Sequence, residues 1–296
     1  MADPHNTPRH QRFALPGGQT LAALVWGEEE RPPLVALHGW LDNAASFTRL
    51  GPLLGQHYRV IALDLSGHGY SSHRPPGGDY GIPGYVVDLA QFMERYFPDG
   101  APVLGHSLGG IVASLLAATQ PARVPCLAMI DSLGPQVTTP ELYAQDLAKA
   151  VKRRLGERRS AVPEYATLEQ ALEARQGGML PLTAEAAGAI VPRNLRPCET
   201  GWTWRTDPRL RYTSMHKFTE PQVHSALAAI RCPVQLLEAQ DGLLVKARQL
   251  FAGRYRCISG LTTVTVPGSH HCHLDGDVEA MSDLLLTFFS QHALSP

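Results

Sequence analysis

Two stretches of this chain, PPLVALHG (residues 32–39) and YRVIALDLSG (58–67), are nearly unbroken apolar runs that stop at a glycine. A strand with one wet face alternates apolar and polar residues. A strand without that alternation is covered on both sides, which in a water-soluble chain means parallel pairing with helices above and below. The intervening NAASFTRLGPLLGQ (43–56) has helical spacing, and GYVVDLAQFMERYF (84–97) supplies a second helix. A strand at APVLG (101–105), a helix at SLGGIVASLLAAT (107–119) and a strand at VPCLAMIDSLGP (124–135) follow. Before these, RFALP and TLAALVWG, separated by GGQ, read as a hairpin. The repetition predicts an α/β fold, a mostly parallel sheet flanked by helices.

The alternation breaks between residues 134 and 220. Helix-like pieces occur there (PELYAQDLAKAVKRRL, ATLEQALEARQ), but no clear parallel strand. It resumes with EPQVHSALAAI, the strand CPVQLLEA, the strand LTTVTVPGS and a final amphipathic helix, DVEAMSDLLLTFF. The expected organisation is a core built from 1–133 and 221–296, with 134–220 inserted as a helical cap on the carboxyl edge of the sheet, where such sheets bind ligands.

Within this frame, residues 105–109 read Gly-His-Ser-Leu-Gly between a strand and a helix. A tight turn of this kind strains its central residue, lifts the serine oxygen above the sheet and aims the N–H of the next residue, Leu108, at a developing oxyanion. The bland alternative is that Ser107 merely caps the helix. A second oxyanion donor is expected from the loop after an earlier strand, and the N–H of Trp40 in LVALHGWLDN is the candidate.

The length of 296 residues is ample for one large core, and a net charge of −1 argues against a broad electrostatic grip on nucleic acid. Five widely spaced cysteines without a CxxC read as reduced thiols, consistent with a cytoplasmic protein. The amino-terminal residues show no signal peptide, and no stretch approaches the length of a membrane span.

HGW, DLSGHGYS and GHSLG, with a late Gly-x-His, resemble the α/β-hydrolase superfamily. HGWLDNAASF together with WTWRTDPRL is similar to the serine hydrolase-like proteins within it. The resemblance implies an α/β-hydrolase fold with a mostly parallel eight-stranded sheet, an inserted cap, and a serine hydrolase that needs no cofactor and no metal.

The base of such a site follows the last strand, where VTVPGSHHCHLD offers three histidines. Aligned with the superfamily's ending, His270 is the expected base, with His271 the alternative. The ligand-rich His-His-Cys-His also raises a metal site, disfavoured because adjacent side chains diverge in an extended loop and no second Cys/His pair has fitting spacing. For the acid, the commoner arrangement in the superfamily places a carboxylate where CPVQLLEAQDG has Gly242, with Asp241 one residue early. A second arrangement uses the end of the strand after the nucleophile helix, which here is Asp131. There a lone carboxylate at the end of an apolar strand needs a partner. Asp131 is therefore the expected acid and Asp241 the alternative. Asp64 is expected to tie down the loop that follows it.

The expected reaction is hydrolysis of carboxylic esters of small to medium apolar substrates through an acyl-enzyme. His106, Trp202 and Trp204 are expected at the substrate, and the aromatics of the insertion (Trp202, Trp204, Tyr212, Met215, Phe218) suggest an apolar pocket. The basic run KRRLGERR (152–159) reads as a solvated helix face or, alternatively, a dock for an anionic group such as a thioester cofactor's phosphate. Carbon–carbon bond hydrolysis or acyl transfer by the same triad, and a non-catalytic binding scaffold, are the competing functional readings. The expected partner is a small ester or acyl substrate, bound by a monomer or homodimer.

Overall fold

The structure is a computed structural model that describes residues 7–156, 162–178 and 181–292. Eight strands form one sheet: β1 (Arg9–Ala14), β2 (Thr20–Trp26), β3 (Pro33–Leu37), β4 (Arg59–Leu63), β5 (Val103–His106), β6 (Leu127–Ile130), β10 (Val234–Asp241) and β11 (Leu261–Ser269). Their order is β1-β2-β4-β3-β5-β6-β10-β11. Both pairings made by β2 are antiparallel and all other pairings are parallel. β1 and β2 are the expected hairpin, in register with Phe13 opposite Leu21.

The two-sided burial inferred from the apolar runs is realised residue by residue. Val35 and Leu37 of β3 belong to one core, which also contains Tyr85, Leu89 and Phe92 of α2 (Ile82–Tyr96) and Val112 and Leu116 of α3 (Leu108–Thr119). Leu34 and Ala36 point the other way, into a second core with Leu50 and Leu54 of α1 (Leu50–Leu54) and Met281, Leu285 and Phe289 of α11 (Val278–His292). Each large side chain buried this way contributes roughly 1.5–3 kcal/mol. A polar face on either side would forfeit half of that support.

Between β6 and β10 lies the inserted segment. It contains α4 (Tyr143–Leu155), β7 (Glu164–Tyr165), α5 (Leu168–Gln176), α6 (Ala184–Asn194), β8 (Leu195–Cys198) and β9 (Gly201–Trp204), before α7 (Glu220–Ala228) returns the chain to the sheet. The expected helices are there, but the segment is not purely helical. β7, β9 and β8 form a small antiparallel sheet. Strands of two and four residues, one broken by Pro197, are too short to show a two-residue period in the sequence. Ala171, Ala186, Ile190, Val191 and Leu195 give this segment its own apolar cluster, which closes over Leu274 of α10 (Cys272–Asp275). Two short helices, α8 (Leu243–Lys246) and α9 (Arg248–Phe251), follow β10. No helix among the described residues is long and apolar enough to cross a membrane.

Candidate active site

Ser107 follows β5 directly and precedes the first residue of α3, with φ 49° and ψ −114°. Side-chain-bearing residues rarely adopt such angles, and they persist only where the surroundings enforce them. Here Ser107 N–H donates to Ile130 O (3.1 Å) and Ser132 Oγ donates to Ser107 O (2.7 Å). The flanking glycines are required by space. A Cβ on Gly105 would lie 2.5 Å from the nitrogen of Gly110, and one on Gly109 would lie 2.1 Å from the carbonyl oxygen of Leu37. The Ser107 hydroxyl makes no capping bond to α3, so the N-cap role is not what this serine performs. It is half-exposed, while its four pentapeptide neighbours are buried.

His106 Nε2–H donates to His270 O (2.9 Å), which draws the turn carrying Ser107 alongside the loop after β11. There His270 Nδ1 lies 2.6 Å from Asp131 Oδ2. The other ring nitrogen, Nε2, is buried without a hydrogen-bond partner among the described residues. Asp131 sits just past β6 with φ 43°, and its carboxylate accepts from Leu243 N–H (2.6 Å) and Leu244 N–H (3.3 Å) at the start of α8. A Cβ on Gly242 would come within 2.4 Å of that carboxylate. The two strand ends therefore compete for one place, and a glycine on β10's side leaves it to Asp131. Asp241 is exposed at the end of β10, aligned with Ser269 and away from this pairing.

Beside this pair stands a second one. His271 Nε2–H donates to Asp42 Oδ2 (3.1 Å), and Asp42 Oδ1 accepts from Arg175 of α5 (3.1 Å). Burial pushes the Asp42 carboxyl up, but the charge and hydrogen bond of His271, joined by Arg175, outweigh it and hold the group far below the usual carboxylate range. His106 is fully buried among His270, His271 and His273, with ring centroids 4.7, 4.9 and 4.2 Å away. Burial, reinforced by the neighbouring imidazoles, keeps both His106 and His273 neutral. His106, expected at the substrate, is instead packed beneath the site.

Asp42, His106 and His271 also bring three metal-capable atoms within 4.8 Å of one another. Asp42 Oδ2 is the oxygen that faces both rings, 3.1 Å from His271 Nε2 and 3.7 Å from His106 Nδ1, while Oδ1 holds Arg175. Among the described residues, the His-His-Cys-His run that the sequence raised and disfavoured as a metal site does not gather as one ligand set. Cys272 is buried in the second core, and burial raises its thiol to about 12.

The loop after β3 is held by the insertion at three consecutive residues. Trp40 Nε1–H donates to Leu210 O (3.0 Å), Asn194 Nδ2–H donates to Leu41 O (3.0 Å), and Arg175 pairs with Asp42. Leu41 has φ 62°, and its N–H donates to His68 Nε2 (3.2 Å). Among the described residues, the backbone N–H groups of Trp40 and Leu108 donate to no protein acceptor. As the first residue of α3, Leu108 carries one of the N–H groups a helix leaves open. Asp64 anchors its own loop as expected, accepting from Ala44 N–H (2.7 Å) and Tyr70 N–H (2.8 Å). It also receives the guanidinium of Arg193 from α6 (2.7 Å).

Cavities of about 700, 610 and 170 Å³ open between the insertion and the core, and Trp204 lines all three. Trp202, on the same face of β9, is 37% exposed at its outer end and lines none of these. Tyr212 lines the largest, whereas Phe218 packs against the first core. Leu41, Val162, Trp204, Pro208 and Tyr212 give the largest cavity apolar walls, and five arginines, Arg74, Arg153, Arg175, Arg209 and Arg211, also reach it. Of the basic run 152–159, Arg153 lines that cavity and Arg154 donates to Thr213 O (3.0 Å), while 157–159 lie outside the described residues.

Residues 32–169 match the α/β hydrolase fold family. A serine hydrolase-like protein of Danio rerio is 32% identical over 290 residues, spanning 94% of this chain and 87% of the relative. The chain belongs to the α/β-hydrolase superfamily, among the serine hydrolase-like proteins. A solved structure of a hypothetical protein from Pseudomonas aeruginosa PAO1 is 38% identical, with a TM-score of 0.89 over 95% of this chain and 99% of that one. A pimeloyl-[acyl-carrier protein] methyl ester esterase of Aeromonas salmonicida is 37% identical over 138 residues, 42% of this chain and 52% of the relative. Family and fold make this serine hydrolase-like protein a hydrolase.

Sequence reasoning missed Asp42, Arg175 and Arg193. Asp42 carried a signal, a carboxylate within a small-residue stretch just past a strand that ends at a buried edge. The two arginines carried none, since each pairs with an aspartate more than a hundred positions away.

Proposed function

We propose that this protein hydrolyses carboxylic ester bonds, with Ser107 as nucleophile, His270 as general base and acid, and Asp131 as the group that orients the imidazole. One observation carries the reading. His270 spends Nδ1 on Asp131 at 2.6 Å and keeps Nε2 buried and without a protein partner, in the loop tied to the strained turn of Ser107. Nε2 takes the hydroxyl proton as Ser107 Oγ bonds to the acyl carbon. The carbonyl pair moves onto oxygen, where the N–H groups of Trp40 and Leu108 receive the negative charge. Each such donor supplies about 3 kcal/mol in related chemistry. Collapse of the intermediate breaks the bond to the alkoxy oxygen, which leaves as an alcohol with the proton from His270. Water, deprotonated by the same nitrogen, then releases the acid and restores Ser107. The Aeromonas relative, named for a methyl ester, supports an ester as the bond cleaved.

A fluorophosphonate probe and a p-nitrophenyl ester series test this together. The wild-type chain should be labelled and should release p-nitrophenol, and Ser107→Ala should lose both. An unlabelled wild type would favour a binding scaffold. Labelling without turnover of any ester would favour carbon–carbon bond hydrolysis or acyl transfer.

A further inference from the structure

The two larger cavities share the wall formed by Val162, Trp204, Thr206 and Pro208, and make one cleft along the seam between insertion and core. The smallest cavity shares Leu41, Arg175, Trp204 and Arg211 with it and adds Trp40, which brings the cleft to the loop after β3 that carries the proposed oxyanion donor. Its lining is one-sided in charge. The second cavity adds Arg12, Arg196 and Arg205, and among the described residues the sole carboxylate on either wall is Asp207.

Three of the arginines are neutralised. Arg74 pairs with Asp88, Arg175 with Asp42 and Arg209 with Asp207. The other five, Arg12, Arg153, Arg196, Arg205 and Arg211, have no carboxylate partner among the described residues. Arg205 lies 4.1 Å over the Tyr70 ring and keeps its Nε buried and unpartnered, and Arg153 lies 5.8 Å over Tyr212. A chain of net charge −1 has therefore gathered uncompensated positive charge into one concave place. Low-dielectric walls of one sign focus their field there and draw in ligands of the other. Each of the two larger cavities has the size of a small-molecule site, not that of a protein interface.

We propose that this cleft binds an anionic group, carboxylate or phosphate, carried by the substrate whose acyl carbon reaches Ser107. The proposal rests on the nucleophile reading above and narrows its substrate class. Arginine forks suit both oxyanions. The carboxylate would belong to the acyl chain, and the phosphate to the leaving group of a coenzyme A thioester.

The test compares three substrates of one acyl length on the intact protein: a neutral p-nitrophenyl alkanoate, the mono-p-nitrophenyl ester of the corresponding dicarboxylic acid, and the acyl-coenzyme A. The ratio of kcat/KM for an anionic substrate over the neutral one should be about tenfold or more. It should shrink in 0.5 M salt, as screened charge requires, and collapse in Arg153→Ala/Arg211→Ala and in Arg205→Ala. A preference for the dicarboxylate ester assigns the anion to the acyl side, and one for the thioester assigns it to the leaving group. As a second readout, the free dicarboxylate or coenzyme A should slow fluorophosphonate labelling. Labelling with neither preference nor protection overturns the cleft assignment and leaves Ser107 as nucleophile. Absence of labelling and of turnover overturns both.

Discussion

Two histidines adjacent in the chain each hold a buried aspartate, and they do it with opposite nitrogens. His270 engages Asp131 through Nδ1, and its Nε2 is left without a protein partner. His271 engages Asp42 through Nε2, and that carboxylate is shared with Arg175 of the insertion. The partner set, not the residue types, separates the roles. On the proposed reading, the ring whose buried Nε2 has no protein partner moves the proton, and the ring bonded to the carboxylate that Arg175 shares braces two segments of chain. Asp131 gathers two backbone N–H groups and one imidazole, so its charge is directed at a single ring. Asp42 is a junction between the loop after β3, the loop after β11 and α5.

The largest effect should come from breaking the first pair while sparing the second. His270→Ala should cost roughly 10⁴-fold or more in kcat, and Asp131→Asn about 10⁴-fold. Asp241→Asn should stay within about threefold, as an exposed surface change does. An Asp241 variant as damaged as Asp131→Asn, measured with p-nitrophenyl esters, would reassign the acid. Gly242→Ala comes next. Its Cβ would meet the Asp131 carboxylate, turn it off the imidazole and lower kcat by about 10²-fold with little change in KM, because misplacement acts on the chemical step. Wild-type kcat in that variant would mean the carboxylate position is not critical.

The second pair should fail differently. Arg175→Ala leaves the Asp42 carboxylate hydrogen-bonded to His271 and beside His106, and stripping one partner from a buried charge typically costs about 3–5 kcal/mol. The expected readout is a Tm lowered by several degrees, with Asp42→Asn/Arg175→Met recovering part of the loss. An unchanged Tm would show that the network carries little stability.

The mildest effect is in pH. His38 and His68 each donate from Nδ1 to a carbonyl and accept a backbone N–H at Nε2, from Leu65 and Leu41 respectively. Burial lowers both, His68 to about 3, and His106 and His273 are lowered well below 6.5. A folded pKa below the unfolded one means the unfolded chain binds more protons, so stability is full above about 6.5 and falls with pH beneath it. Thermal melts should be level above pH 7.5 and drop by a few degrees per unit below pH 6.5. A flat profile would mean these rings charge without cost.

Much of the fold was legible, because a strand buried on both faces must be apolar at every position, and Val35/Leu37 against Leu34/Ala36 could announce themselves without a partner in view. The turn at Ser107 was legible too, since Gly105 and Gly109 answer steric demands set within a few residues. The short sheet in the insertion was not, nor was the seating of His106 beneath the site in place of the substrate.

The sequence by itself determined the alternating layers and a nucleophile-shaped turn, because periodicity and local sterics are properties of neighbours along the chain. Which histidine keeps a free nitrogen, why Gly242 yields its place to Asp131, and how arginines from distant segments come to line one cleft were decided only by the tertiary structure. Hydrogen bonds, close packing and electrostatic fields act over ångströms of space, and residues 42, 131, 175 and 270 become neighbours only when the chain is folded.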